Sequence, residues 1–253
     1  MKKNDLLGDF RKIAPSKLVG HEPNEIEDFF LILAVIYNDL KGLMYLYRLY
    51  NENNPAPVSQ VPSAALGERN GMTTQLFKLV AGMINEFLIF LKEHEHLYLN
   101  PQFQLILLKV PKGINLQWND ILDAAFERTK KNNKTSLGYK LMLIRNHVAF
   151  HYYQSEKVLR QSFKEFFIDK NMPGADHAYY SDGGLMQSTR FYFADAAVQR
   201  YLLKTASAEY QKDYGNDMAA YNNLQAETFQ LIGTMNMVIA NLLRQFIREK
   251  SKT

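Results

Sequence analysis

Cysteine is absent from this 253-residue chain, so neither a disulfide framework nor a thiolate metal site is available to it. That composition suits a reducing compartment. Long apolar runs are also missing. The longest uninterrupted one, about Phe29 to Tyr37, is far shorter than a bilayer crossing requires. The basic start Met1-Lys2-Lys3 is not followed by the apolar core of a secretory signal. The expectation is a cytoplasmic protein that makes no use of a membrane. Glycine-rich phosphate loops are missing as well. There is no Gly-x-x-x-x-Gly-Lys-Ser/Thr, no Gly-x-Gly-x-x-Gly and no Gly-x-Ser-x-Gly. P-loop nucleotidases, dinucleotide-dependent oxidoreductases and nucleophile-elbow hydrolases are set aside on that ground, and no cofactor is expected.

What the chain does have is helix-forming pattern. Hydrophobic residues make up 47% of it, enough for a sizeable core. From Glu25 to Tyr50 the residues Ile26, Phe29, Phe30, Leu33, Tyr37, Leu40, Met44 and Tyr47 recur in steps of three and four, the stripe of a long amphipathic helix. Pro55, Pro57, Pro62, Gly67 and Gly71 mark an irregular loop over about 53–71. A second long helix is expected from Met72 to about Tyr98, and a third from Asn115 to Lys131 with Trp118, Ile121, Leu122, Ala125 and Phe126 inward. The apolar run 102–110 is of undetermined type. Thr135 or Ser136 can cap a further helix, carried on towards Asp169 and stopped at Asn171-Met172-Pro173-Gly174. The turn signature Tyr179-Tyr180-Ser181-Asp182-Gly183-Gly184 suggests a small hairpin near 178–186. Helices resume over about 189–209 and 217–250, the last with Phe229, Ile232, Met235, Met237, Val238, Leu242, Leu243, Phe246 and Ile247 as its apolar set. With no internal repeat, the expectation for 1–253 is one all-α domain, a bundle of long antiparallel helices.

Charge is unevenly placed. The chain nets +4, but Lys109 to Lys170 holds twelve Lys or Arg against six acids. This basic excess surrounds the segment with most chemical content, Arg145-Asn146-His147-Val148-Ala149-Phe150-His151, which lies in an apolar helical run. Arg, Asn and His are costly to bury unless paired or functional. Together they suit phosphate chemistry: a fixed cationic fork, an amide, and a group that carries a proton near neutral pH. A polyanion is the natural partner, though a basic excess is also what a plain solvated face shows. His147 and His151 share a helix face at metal-ligand spacing, but Val148 stands where a zincin has Glu, so no metal is expected. His94-Glu95-His96 reads as solvated surface.

Arg145, Asn146 and His151, as Arg-Asn-x-x-x-x-His on a late helix of an all-α chain, resemble the signature of the HEPN superfamily. The match covers about ten residues, Ile144 to Tyr152 included. The resemblance implies a helical bundle that dimerises so that two signature helices meet across a two-fold cleft. Many members are metal-independent endoribonucleases, often toxins or phage-defence effectors with a cognate antitoxin. Others are non-catalytic modules that bind RNA, nucleotide or protein. On this reading His151 is the general acid or base, Arg145 binds the phosphate and Asn146 orients one or the other. His147, Tyr152, Lys130, Lys131, Lys134 and Lys140 are candidate substrate contacts. On a straight α-helix Arg145 and His151 lie about 120° apart around the axis, so a lone protomer would hold an incomplete site. The competing structural reading has Arg145 paired with an internal carboxylate.

Overall fold

Asn24 opens the first long helix by accepting from the backbone N–H of Ile26 at 3.0 Å and of Glu27 at 3.3 Å, and Glu25, Glu27 and Asp28 favour its positive end. The computed structural model describes residues 11–55, 63–129, 133–150, 155–169, 175–207 and 214–252. It is 81% helical, and the described residues form no sheet. In chain order the helices are α1 (Pro15–Leu18), α2 (Glu25–Asn53), α3 (Ala64–Glu93), α4 (Pro101–Lys109), α5 (Lys112–Glu127), α6 (Leu137–Ile144), α7 (Glu156–Phe163), α8 (Tyr192–Ala206) and α9 (Tyr214–Lys252). A 3₁₀ turn, Glu95–Leu99, joins α3 to α4. Five-residue π turns extend α6 (Arg145–Ala149) and α7 (Lys164–Ile168).

The expected all-α class is what the chain adopts. Helix α3 is central: it packs against α2, α5, α6 and α8, while α9 closes the bundle over α2, α5 and α8. Phe30 of α2 stacks on Phe246 of α9, with ring centres 4.4 Å apart and planes 6° from parallel. Phe29, Tyr98, Phe103 and Trp118 extend this aromatic core. A second anchor is ionic. Arg200, 2% exposed, donates to Asp217 at 2.8 Å and to Glu165 at 3.4 Å, tying α8 to α9 and to the second π turn. Burial pushes Glu165 up, but hydrogen bonds from Lys204 and Gln161 and the nearby cations outweigh it and hold Glu165 below the usual carboxylate range.

Several boundaries differ from expectation. Ser63 caps α3 at the N–H of Leu66, so 64–71 are helical, not loop. Gly67 and Gly71 are tolerated there because other side chains need their space. A Cβ at Gly67 would lie 2.6 Å from the Tyr192 ring, and one at Gly71 would lie 2.1 Å from the Arg190 guanidinium. The 102–110 run is helical as far as Lys109, since Asn100 caps it and Pro101 takes its first position. The hairpin is reduced to one antiparallel bridge, Ser181 with Arg190, beside a turn in which Gly184 takes φ +74°. In α9, Met237 and Ile247 are exposed at 44% and 41% instead of packed. His94 is not plain surface: it sits half-buried against Phe90, its Nδ1 2.8 Å from the Phe90 carbonyl oxygen. Helices α2 and α3 are each long and apolar enough to cross a membrane by length and composition alone, and both have a face in the bundle core.

Candidate functional site

Ser136 starts α6 by accepting from the N–H of Tyr139, and Leu141, Ile144 and Val148 bury its apolar face. At Arg145 the helix widens. The N–H of Phe150 reaches back five residues to the Arg145 carbonyl at 3.3 Å, so one extra residue enters the turn. Such π turns recur at functional sites because the insertion re-aims neighbouring side chains. Here the turn packs on α3, where Gly82 makes room. A Cβ on Gly82 would stand 2.3 Å from the Phe150 ring.

The Arg145 guanidinium is held on two sides. Nε donates to Glu86 Oε1 at 2.6 Å, and Nη1 donates to Asn146 Oδ1 at 3.1 Å. The Arg145 side chain is 23% exposed and that of Glu86 44%, so the pair sits at the edge of the bundle in reach of solvent. Beside it, Asn85 is fully buried and accepts from Arg128 Nη1 at 3.3 Å. Burial lowers the pKa of Arg128; the charge of Glu86 opposes that and the charge of Arg145 adds to it. Glu86 thus pairs directly with Arg145 and acts on Arg128 through its charge.

His147 points elsewhere. Its half-buried ring meets Tyr201 of α8 edge-on at 5.8 Å, its Nδ1 is buried without a partner among the described residues, and its carbonyl accepts from the Ser155 hydroxyl. Burial pushes the Tyr201 hydroxyl up to about 12, so this neighbour of His147 stays neutral. Lys134 is exposed and Lys140 half-exposed on or beside α6. His151, Tyr152, Lys130 and Lys131 lie outside the described residues. The structure thus brings Arg145 and Asn146 together and turns His147 away from them. It adds Glu86, Asn85 and Arg128, which sequence reasoning missed. Their one signal was Asn85-Glu86, a polar pair inside the apolar run Val80 to Leu91.

No family model, curated protein or solved structure matches this chain. The function therefore rests on the site itself.

Proposed function

We propose that the protein is a metal-independent endoribonuclease of HEPN type, acting in the cytoplasm as a homodimer. The observation that carries this reading is the Arg145 fork, oriented by Glu86 and Asn146 at the solvent edge of a π turn. With Nε on Glu86 and Nη1 on Asn146, Nη2 is the group of the oriented fork that donates to a phosphate in this reading. In the reaction the 2′-oxygen of a ribose attacks the adjacent phosphorus. His151 takes the 2′-OH proton as the O2′–P bond forms; the P–O5′ bond breaks, O5′ takes a proton from solvent, and His151 afterwards returns its proton to solvent. The products are a 2′,3′-cyclic phosphate and a 5′-OH. Arg145 neutralises the charge that builds on the phosphoryl oxygens. DNA, lacking the 2′-OH, is spared. Lys134 and Lys140, with Lys130, Lys131 and Tyr152, belong to the RNA-binding surface in this reading. A toxin or phage-defence role with a cognate antitoxin is the biological setting it implies.

The same ion pair favours a second reading, a non-catalytic module for RNA, nucleotide or protein, because a carboxylate on Arg145 weakens its pull on phosphate. One experiment separates them: purified protein incubated with total RNA, with and without EDTA. Cleavage with 5′-OH ends, unchanged by EDTA and reduced about 10²- to 10⁴-fold by His151→Ala or Arg145→Ala, is expected for the nuclease. Binding without cleavage supports the module. Activity that survives His151→Ala removes the mechanism.

A further inference from the structure

Arg128 is a buried cation without a carboxylate of its own. It ends α5 at 9% exposure, and among the described residues no acid lies within ion-pair distance of it. Its contact is with Asn85, fully buried in α3, whose Oδ1 accepts from Arg128 Nη1 at 3.3 Å. Each member of this pair is short of an acceptor. Arg128 Nε and Asn85 Nδ2 are buried N–H groups with no partner among the described residues. Native folds keep few such groups. As a device for stability the arrangement is poor, because a buried charge is costly unless paired and each orphaned donor adds to the cost. Apolar side chains of similar volume in the same place are often as stable or more so.

What Arg128 supplies is charge. Glu86, the residue after Asn85, pairs with Arg145 at 2.6 Å, and that pair alone is neutral. A neutral pair has little pull on a phosphate. With Arg128 beside it the group carries two guanidinium charges against one carboxylate, a surplus of one positive charge. The three sense one another: burial lowers the pKa of Arg128, the charge of Glu86 opposes that, and the charge of Arg145 adds to it. Glu93 acts on Arg128 more weakly. It is exposed, and the neighbouring Lys92, which donates to Thr129 at 3.2 Å, balances its charge. Because Arg128 is buried, salt screens it little and its field reaches the Arg145 edge through protein.

We infer that Arg128 is a positioning residue for phosphate: without touching RNA, its uncompensated charge lets an Arg145 already paired with Glu86 still draw and seat a phosphate. This role rests on the phosphate site of the nuclease reading, and it holds whether or not the bound RNA is cut.

The test joins binding to stability in the full chain. The probe is a 2′-O-methyl RNA oligonucleotide, which this chemistry cannot cut, followed by fluorescence anisotropy at fixed salt. Arg128→Gln keeps an amide donor for Asn85 and loses the charge, so its affinity should fall about tenfold. Arg128→Lys keeps the charge and should stay within about threefold of wild type. With Arg145→Ala already in place, Arg128→Gln should change affinity by less than about twofold, because it acts through Arg145. Stability should move the other way. Asn85→Leu/Arg128→Met removes the charge and the amide together, and its urea midpoint should equal or exceed that of wild type. Affinity unchanged by Arg128→Gln overturns the inference. So does an equal loss in Arg128→Lys and Arg128→Gln, which would make shape the cause. So does a loss undiminished by Arg145→Ala, which would make Arg128 a direct RNA contact. A lowered urea midpoint in Asn85→Leu/Arg128→Met overturns it as well, since the pair is then structural. Cleavage of unmodified RNA is scored separately. Binding that depends on Arg128 as stated, with nothing cut, removes the nuclease reading alone, whereas a wild type that binds no oligonucleotide removes both.

Discussion

Glu86 and Asn146 hold the Arg145 guanidinium in place, and on the nuclease reading proposed above Arg145 acts only while it is so held. A half-exposed ion pair contributes about 0.2–1 kcal/mol, so Glu86→Gln should lower the melting temperature by no more than about 4 °C. Its effect on ligand binding has the opposite sign. With the carboxylate gone, RNA affinity measured by fluorescence anisotropy at fixed salt should rise, because phosphate no longer competes with a fixed anion. Unchanged affinity would place Arg145 outside the RNA-binding surface. His147 makes a contrasting case. Its ring packs on Tyr201 and its Nδ1 has no partner among the described residues, so His147→Ala should cost about 1 kcal/mol of stability and leave cleavage within about tenfold of wild type. Loss of activity comparable to that of Arg145→Ala would instead put His147 in the chemistry.

Helices were readable where a single periodic face faces the core, as in α2, α5 and α9. They were misjudged where tertiary contact overrides propensity. The glycines that suggested a loop at 64–71 are the places where Tyr192 and Arg190 press on α3. The π turn was not legible, because nothing in Arg145 to Ala149 departs from helical pattern; the extra residue is accommodated by the space at Gly82. Arg145 and Asn146 were found from their own chemistry, whereas Glu86, 59 positions away, becomes a neighbour only through the α3–α6 packing. Close approach also orders the glycines by what they tolerate. Gly138→Ala should cost about 1–3 kcal/mol, since its Cβ would stand 2.8 Å from the Ala124 carbonyl oxygen, a backbone atom that cannot turn aside. Gly233→Ala in α9, where a Cβ meets nothing within 4 Å, should stabilise by up to about 1 kcal/mol. Urea unfolding of the two variants checks the ranking. A Gly138→Ala protein as stable as wild type would mean that α5 and α6 part more easily than their packing implies.

Across the whole molecule, stability should depend on acid through two linked carboxylates. Glu27 is held low by the Lys250 ammonium and the Gly20 N–H, joining the start of α2 to the end of α9. Glu165 is held low within the Arg200 network. A carboxylate depressed in the folded state contributes stability that is complete above its unfolded value, near 4.5, and is lost as pH falls through the folded value. The urea midpoint should therefore fall once pH drops below about 4.5, and Glu165→Gln should flatten part of that fall. A midpoint constant down to pH 3, about thirtyfold in acidity past that value, would show these groups to be unlinked to folding.

The Phe30–Phe246 stack has a consequence for how the chain is made. Its two rings are separated by nearly the whole sequence, so the pocket under α2 stays empty until the ribosome has delivered α9, about 10–40 s later at typical elongation rates. During that interval the face of Phe30 that meets Phe246 is open to water, while Phe29 already packs on Phe90 and Phe103 of α3 and α4. Nascent chains stalled before α9 should be strong clients of ribosome-associated chaperones, and release of the last helix should end that dependence abruptly.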